Sequence, residues 1–210
     1  MELSNLRVPS ELILEASEIF DREDVAAQIK SAVADLSDTA AIRVAVVGIL
    51  RQSRVAGLER ISAAFKAAPS TSQAATASYC YLTDCAVAAA YDAALCYMHP
   101  RKVATTSEQL AIVAVGGYGR GGMAPFSDVD LLFVIPYKMT AWAESVIESL
   151  LYVLWDLRLK VGHASRTDRD CLRLAREDYT IRTSLVEMRF LLGDHDVFQH
   201  LQIQLREKLF

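Results

Sequence analysis

Two aspartates spaced one residue apart open an apolar run, and residues of this type and spacing can bind a divalent metal. Asp128 and Asp130 lead into residues 131–134, all of them large and apolar, which predicts a strand buried on both faces. Side chains at i and i+2 of a strand share a face, so both carboxylates should project together, with their Cα atoms roughly 7 Å apart. Charges at the mouth of a buried strand need a counter-charge, and Mg²⁺ prefers oxygen ligands. The pair therefore predicts a Mg²⁺ site.

Paired glycines upstream of the aspartates predict a phosphate-binding turn. Gly116 and Gly117 end the apolar run 111–115, and ten residues separate them from Asp128. Glycine lets backbone amides approach a phosphate closely, and the free amides at the start of a following helix also favour anions. Arg120 either neutralises a β- or γ-phosphate or is a surface arginine. The combined pattern predicts metal-assisted transfer of a nucleotidyl group.

Two further residues complete the set of candidate substrate-binding side chains. Ser127 directly precedes the first aspartate, and Arg166 lies in a segment expected to form a neighbouring strand. An arginine on a buried strand needs an anion, which favours a role for Arg166 in binding the triphosphate.

The same letters contain a rival motif, which we reject. Gly117, Gly119 and Gly122 fit the dinucleotide-binding pattern G-x-G-x-x-G. That site requires an acidic residue about 20 positions later, at the end of the next strand. Here the next strand begins too early for a crossover helix and carries its acids at its start. The G-x-x-x-x-G-K-[ST] motif of a P-loop is absent from the sequence.

The glycine pair, the ten-residue gap and the motif Asp128-Val129-Asp130 resemble the signature of the DNA polymerase β-like nucleotidyltransferase superfamily. Longer segments over roughly residues 75 to 200 resemble the bacterial PII uridylyltransferase family, and they are residues 115–121, 127–133, 154–157, 160–167 and 180–187. The resemblance implies Mg²⁺-dependent transfer of a uridylyl group from UTP to a tyrosine of a PII signalling protein, with release of pyrophosphate. Two Mg²⁺ ions held by Asp128 and Asp130 would assist the displacement.

The sequence departs from the family pattern at three points. A third metal-binding carboxylate usually lies on the third strand, where residues 159–167 contain no acid. Asp156, Asp168 and Glu187 remain open as substitutes. Gly122 removes a side chain near the expected phosphate site, and Phe126 is expected to crowd the turn before the aspartates.

The family continues into a phosphohydrolase domain and glutamine-sensing domains, neither of which this sequence contains. We therefore expect the chain to be a fragment of a longer protein, without deuridylylating or glutamine-sensing activity. Two alternatives stay open beside an active uridylyltransferase. One is a catalytically inactive module that binds nucleotide or PII protein, and the other is a nucleotidyltransferase with a different acceptor.

Composition favours a cytoplasmic protein without nucleic-acid or membrane partners. The net charge is −4 over 210 residues, which gives no general attraction to a polyanion. The four cysteines show no zinc-binding spacing with the four histidines. No signal segment opens the sequence, and no run of about 18 uncharged apolar residues occurs.

The elements that must position these residues predict an α+β fold. We expect a helical region over residues 1–105 that packs on a catalytic module, and a nucleotidyltransferase-fold domain over 106–210 with a small mixed sheet flanked by helices. A short polar linker is predicted over 101–108. The predicted helices are 10–36, 38–65, 73–98, 140–155, 168–176, 178–192 and 194–210, and the predicted strands are 111–115, 128–134 and 157–161.

Overall fold

The computed structural model describes residues 2–101 and 108–209. The first hundred residues are helical, and the helices are α1 (Glu2–Asn5), α2 (Ala16–Ile19), α3 (Arg22–Ala32), α4 (Thr39–Ala67) and α5 (Ser72–Ala93), which ends in a π-helical turn, Ala94–Met98. The predicted linker 101–108 lies almost wholly outside the described residues. No helix in the described part of the chain has the length and apolar character needed to cross a bilayer.

The long helices α4 and α5 confirm the predictions for these segments. Asp38 begins α4, because its side chain accepts a hydrogen bond from the Ala41 amide at 2.8 Å, as expected of an N-cap residue. The prediction of one helix over 10–36 is wrong. Phe20 is extended, and Asp21 starts a new helix by accepting from the Asp24 amide.

The second half of the chain alternates strands and helices. The elements are β1 (Ala111–Ala114), α6 (Gly116–Gly119), β2 (Val129–Ile135), α7 (Ala141–Asp156), β3 (Val161–Thr167), α8 (Asp168–Glu177), α9 (Tyr179–Val186), β4 (Arg189–Gly193) and α10 (His195–Leu209). The four strands lie in the order β3-β2-β1-β4. Strand β1 is antiparallel to β2 and β4, whereas β2 and β3 are parallel. This small mixed sheet with flanking helices confirms the predicted α+β class.

Both faces of the sheet are covered, as the apolar run after the aspartates predicts. Leu131 and Phe133 share one buried cluster with residues of α4, α5 and α7. Leu132 and Val134 face a second cluster formed with α8, α9 and α10. The first cluster therefore joins the helical region and the sheet in one continuous core.

The predicted third strand, residues 157–161, is wrong in position, because this segment closes α7 in a tight turn. Arg158 adopts φ +62°. The Arg158 amide donates to the Trp155 carbonyl, and the Leu159 amide donates to the Leu154 carbonyl. This pair of bonds is a Schellman cap, so the strand begins only at Val161.

The predicted helix over 178–192 is correct only in its first half. Helix α9 ends at Val186, and the strand β4 follows it. Residues 189–193 pair with the free edge of β1, and this long-range pairing overrides the local helical spacing of the apolar residues.

Candidate active site

The glycine turn lies directly beside the start of β2. The Val115 amide donates to the carbonyl of Asp130 at 3.1 Å. Gly116 follows with φ +57°, in the left-handed region that side chains disfavour. A Cβ atom at Gly116 would also lie 3.3 Å from the Asp130 carboxylate. The positive φ requires glycine at this position, and the close approach of the carboxylate also favours it.

The carboxylate of Asp130 lies between two glycines. On the side opposite Gly116, Asp130 pairs in the sheet with Gly162 of β3. A Cβ atom at Gly162 would lie only 2.5 Å from Asp130 Oδ1, closer than real contacts allow. The missing side chains thus leave a cradle that the Asp130 carboxylate occupies.

The two aspartates repel each other. Partial burial and then the charge of Asp128 raise the pKa of Asp130 above its usual value. Neither carboxylate forms a hydrogen bond or ion pair with any residue in the ranges 2–101 and 108–209. Paired carboxylates with small neighbours and no counter-charge fit a divalent cation. No cluster of three potential metal-ligating side chains occurs among those residues.

We expect Asp130→Asn to raise the free energy of unfolding of the metal-free protein at neutral pH. Folding raises the pKa of Asp130, so ionised Asp130 destabilises the folded state at every pH above its folded-state pKa. This penalty fades as the pH falls towards the unfolded-state value. Asparagine keeps the shape of the side chain and removes the charge. Thermal unfolding at pH 7 with a chelator measures the effect, and Asp35→Asn at an exposed site is the matched control. A midpoint at or below that of the control would contradict the expected repulsion.

A cavity of about 280 Å³ opens next to the Asp130 cradle, near the lower end of the usual size for small-molecule sites. Its lining brings together three of the sequence-predicted residues, Gly116, Asp130 and Arg166. The opposite wall is the helix α9, which contributes Thr180 and Ser184. Among the described residues of this lining, Arg166 is the only arginine or lysine, so it supplies the positive charge for an anion in the cavity.

The other predicted side chains lie outside this cavity. Arg120 is bound at the surface by Glu187, whose two carboxylate oxygens accept from Nη1 at 2.9 and 2.7 Å. A Cβ atom at Gly117 would lie 3.4 Å from Arg120, so the glycine leaves room for the arginine. Ser127 closes a turn, since its Oγ accepts from the Ala124 amide at 3.2 Å.

Each acid considered as a third metal ligand has another partner. Asp156 pairs with Arg43 at 3.4 Å. Asp168 is bonded to His200, and Glu187 holds Arg120. The structure therefore adds no third carboxylate to the two aspartates within the described ranges.

A buried polar network beneath the glycine turn is absent from the sequence-based predictions. Asp84 of α5 accepts two hydrogen bonds from Arg189 of β4, at 2.8 and 3.1 Å, and a third from the Tyr118 hydroxyl at 2.6 Å. Burial and the charge of Asp84 raise the pKa of Tyr118 well above its usual value, which keeps this phenol protonated as a donor. Since Tyr118 belongs to α6, the network ties the glycine turn to both α5 and β4. The charge of Asp84 within an alanine-rich helix was the available signal, because such a charge needs a partner when buried.

One expectation about departures from the family pattern is wrong. The side chain of Phe126 is 86 % exposed, so its ring does not fill the space of the turn. A Cβ atom at Gly122 would contact Thr76 of α5 at 3.6 Å, and Gly122 does not line the cavity beside Asp130. The expected effect of Gly122 on a phosphate site stays a prediction.

Comparison with known proteins finds one family model that matches residues 7–159, described as glutamate-ammonia ligase adenylyltransferase. This range includes the glycine pair and both aspartates.

The chain is also similar to three curated proteins, each called bifunctional uridylyltransferase/uridylyl-removing enzyme. The one from Ruegeria pomeroyi is 52 % identical over 192 residues, 91 % of this chain and 21 % of that protein. The one from Cereibacter sphaeroides is 47 % identical over 203 residues, 96 % of this chain and 22 % of that protein. The one from Phenylobacterium zucineum is 56 % identical over 128 residues, 61 % of this chain and 14 % of that protein. The chain thus spans about a fifth of the length of the first two relatives.

Proposed function

We propose a function from the family of this chain, which belongs to the glutamate-ammonia ligase adenylyltransferase family of nucleotidyltransferases. In this proposal, the chain transfers a uridylyl group from UTP to a tyrosine of a PII signalling protein and releases pyrophosphate. The curated relatives named as uridylyltransferases support the choice of uridylyl over adenylyl. The observation that carries the proposal is the carboxylate of Asp130, which has no partner among residues 2–101 and 108–209 and lies beside Asp128 at the edge of the cavity that Arg166 lines.

Asp128 and Asp130 would hold the divalent metal. We propose that this metal is Mg²⁺ and that two ions bind. When bound, the metal would polarise the reacting phosphate and neutralise the charge on the departing pyrophosphate. Burial and the charge of Asp128 raise the pKa of Asp130, and a bound cation would offset both effects.

The protein's own groups would position the triphosphate in the cavity. Gly116 lets the backbone of the turn approach the phosphates without a side chain in the way. Arg166 supplies a positive charge on the β3 wall, and α9 closes the other side. The tyrosine hydroxyl would then lose its proton to water as its oxygen attacks the α-phosphorus, the bond from that phosphorus to the bridging oxygen would break, and pyrophosphate would leave. Arg120 would contact the triphosphate only after its ion pair with Glu187 breaks. Ser127 would hold the turn that leads into Asp128.

The test is a mass spectrum of a purified PII protein after incubation with this chain, Mg²⁺ and either UTP or ATP. A uridylyl-sized gain that requires UTP would support the proposal. A gain with ATP alone would favour adenylyl transfer, the activity in the description of the matched family. Metal-dependent UTP binding without any gain would favour the alternative of an inactive nucleotide-binding module. UTP turnover without modified PII protein would indicate a different acceptor.

We expect Gly162→Ala to weaken metal binding roughly 10- to 100-fold, the usual cost of disturbing the groups that orient a metal ligand. The new methyl group would overlap Asp130 Oδ1 and force the carboxylate out of its cradle. Since Gly162 is exposed on an edge strand, the fold should be retained. Titration with Mn²⁺ measures the affinity. Gly48→Ala is the matched control, because a Cβ atom there meets nothing within 4 Å. Equal Mn²⁺ affinity in both variants would argue against Asp130 as a ligand.

A further inference from the structure

The turn that leads into the aspartates contains a strained residue. The Ser127 amide donates to the Ala124 carbonyl at 3.2 Å, so residues 124–127 form a four-residue turn with Pro125 second and Phe126 third. Phe126 has φ +67°. Turns with proline second and a positive φ third normally carry glycine or asparagine at the third position. A bulky residue there stores backbone strain of order 1 kcal/mol or more.

Exposure of the Phe126 side chain to solvent is also unfavourable. The side chain is 86 % exposed, although it is large and apolar, and it lies two residues before Asp128. Neither the turn geometry nor the core needs a phenyl ring at this position. Strained residues cluster at functional sites, and aromatic rings are common anchors in protein interfaces.

A small depression of about 20 Å³ lies between this turn and the helical region. Its lining includes Arg54 and Leu58 of α4, Tyr79 and Thr83 of α5, and Pro125 and Phe126 of the turn. The Nε atom of Arg54 is buried and has no hydrogen-bond partner in the part of the chain that the structure describes. No ion pair with Arg54 occurs in that part either. The depression therefore combines apolar and aromatic side chains with one cation that has no partner among the described residues.

This depression is separate from the cavity beside Asp130. The lining of that cavity includes neither Phe126 nor Arg54. If the nucleotide occupies the cavity, the group that attacks it must approach the aspartates from another direction, and the depression adjoins Asp128 through Phe126 and Ser127.

We propose that Phe126 and Arg54 form the docking surface for the acceptor protein. This inference rests on the proposed function and extends it to the side from which the acceptor approaches. The partner is a protein segment that presents its hydroxyl side chain next to Asp128. An apolar group of that segment packs on the ring of Phe126, and a carboxylate pairs with Arg54.

The test compares steady-state kinetics and thermal stability of wild type and Phe126→Gly. Glycine relieves the positive φ, so the unfolding midpoint should rise. The KM for the PII protein should increase roughly 10- to 30-fold, as for loss of an interface anchor, while the KM for UTP stays unchanged. Tyr137→Gly is the matched control, because Tyr137 is also exposed but lies in the turn after the far end of β2. Arg54→Met should raise the KM for the acceptor and reduce its dependence on salt.

Three results would overturn the proposal. An unchanged acceptor KM in Phe126→Gly would remove the aromatic anchor. A parallel rise in the KM for UTP would assign Phe126 to the nucleotide instead. A lower unfolding midpoint would give the ring a structural role. Absence of transfer by the wild-type chain with both UTP and ATP would be a different failure, since it would overturn the proposed function and the docking surface with it.

Discussion

Asp130→Asn is expected to lower the rate of uridylyl transfer by about three orders of magnitude. A metal ion contributes several kcal/mol of transition-state stabilisation, and each ~1.4 kcal/mol corresponds to tenfold in rate. Asparagine fills the same cradle between Gly116 and Gly162 but has no charge with which to hold a cation. The measurement is single-turnover transfer to a PII protein at saturating UTP and Mg²⁺.

Asp130→Asn should lose activity without losing stability. The same substitution removes a repulsion, so the metal-free fold should be at least as stable as wild type, and loss of activity cannot then be due to unfolding. Asp35→Asn should retain the wild-type rate. If Asp130→Asn kept more than about a tenth of that rate, Asp130 would not be an essential metal ligand and the proposed mechanism would be wrong.

Asp84→Ala is expected to destabilise the protein by about 3 kcal/mol. It leaves the guanidinium of Arg189 without its carboxylate, and breaking a buried pair typically costs roughly 3–5 kcal/mol. We expect the lower end, because the side chain of Arg189 is 30 % exposed while that of Asp84 is 4 % exposed. For a chain of this size the unfolding midpoint should fall by roughly 6–12 °C. Differential scanning calorimetry measures the change.

An exposed ion pair provides the control for this experiment. Arg173 and Glu177 pair on the surface of α8, where both side chains are more than half exposed. Glu177→Ala should therefore change stability by less than about 1 kcal/mol. Adding Arg189→Met to Asp84→Ala should recover part of the loss, since it removes the uncompensated charge. Equal midpoints for Asp84→Ala and Glu177→Ala would show that the buried network does not hold the fold.

Local sequence determined the parts of the fold that depend on dense apolar patterning. The strand after Asp128, the capped helices at Asp38 and Thr140, and the α+β class all follow from such patterns. The edge strand β3 was predicted at the wrong position, because its exposed residues are polar. The prediction followed the nearby apolar Leu157 and Leu159 instead, which are buried in a helix cap.

Long-range contacts account for what sequence reasoning missed. Leu192 continues the helical spacing of Ile181, Leu185 and Met188, but pairing with the open edge of β1 makes residues 189–193 a strand. Asp84 and Arg189 are 105 residues apart, so no local pattern connects them. In the candidate site, the aspartates and glycines were recognisable from their spacing. The role of Gly162 as the second wall of the Asp130 cradle was not, because it depends on the register between β2 and β3.

The position of β1 in the sheet has a consequence for synthesis of the chain. Arg189, which begins β4, follows Ala111, which begins β1, by 78 residues. At a translation rate of roughly 5–20 residues per second, one edge of β1 stays unpaired for about 4–16 s after that strand is made. During this interval the carboxylate of Asp84 also lacks its arginine. An unpaired edge of an apolar strand is a template for aggregation, so this edge of the nascent chain is open to non-native strand pairing until β4 emerges.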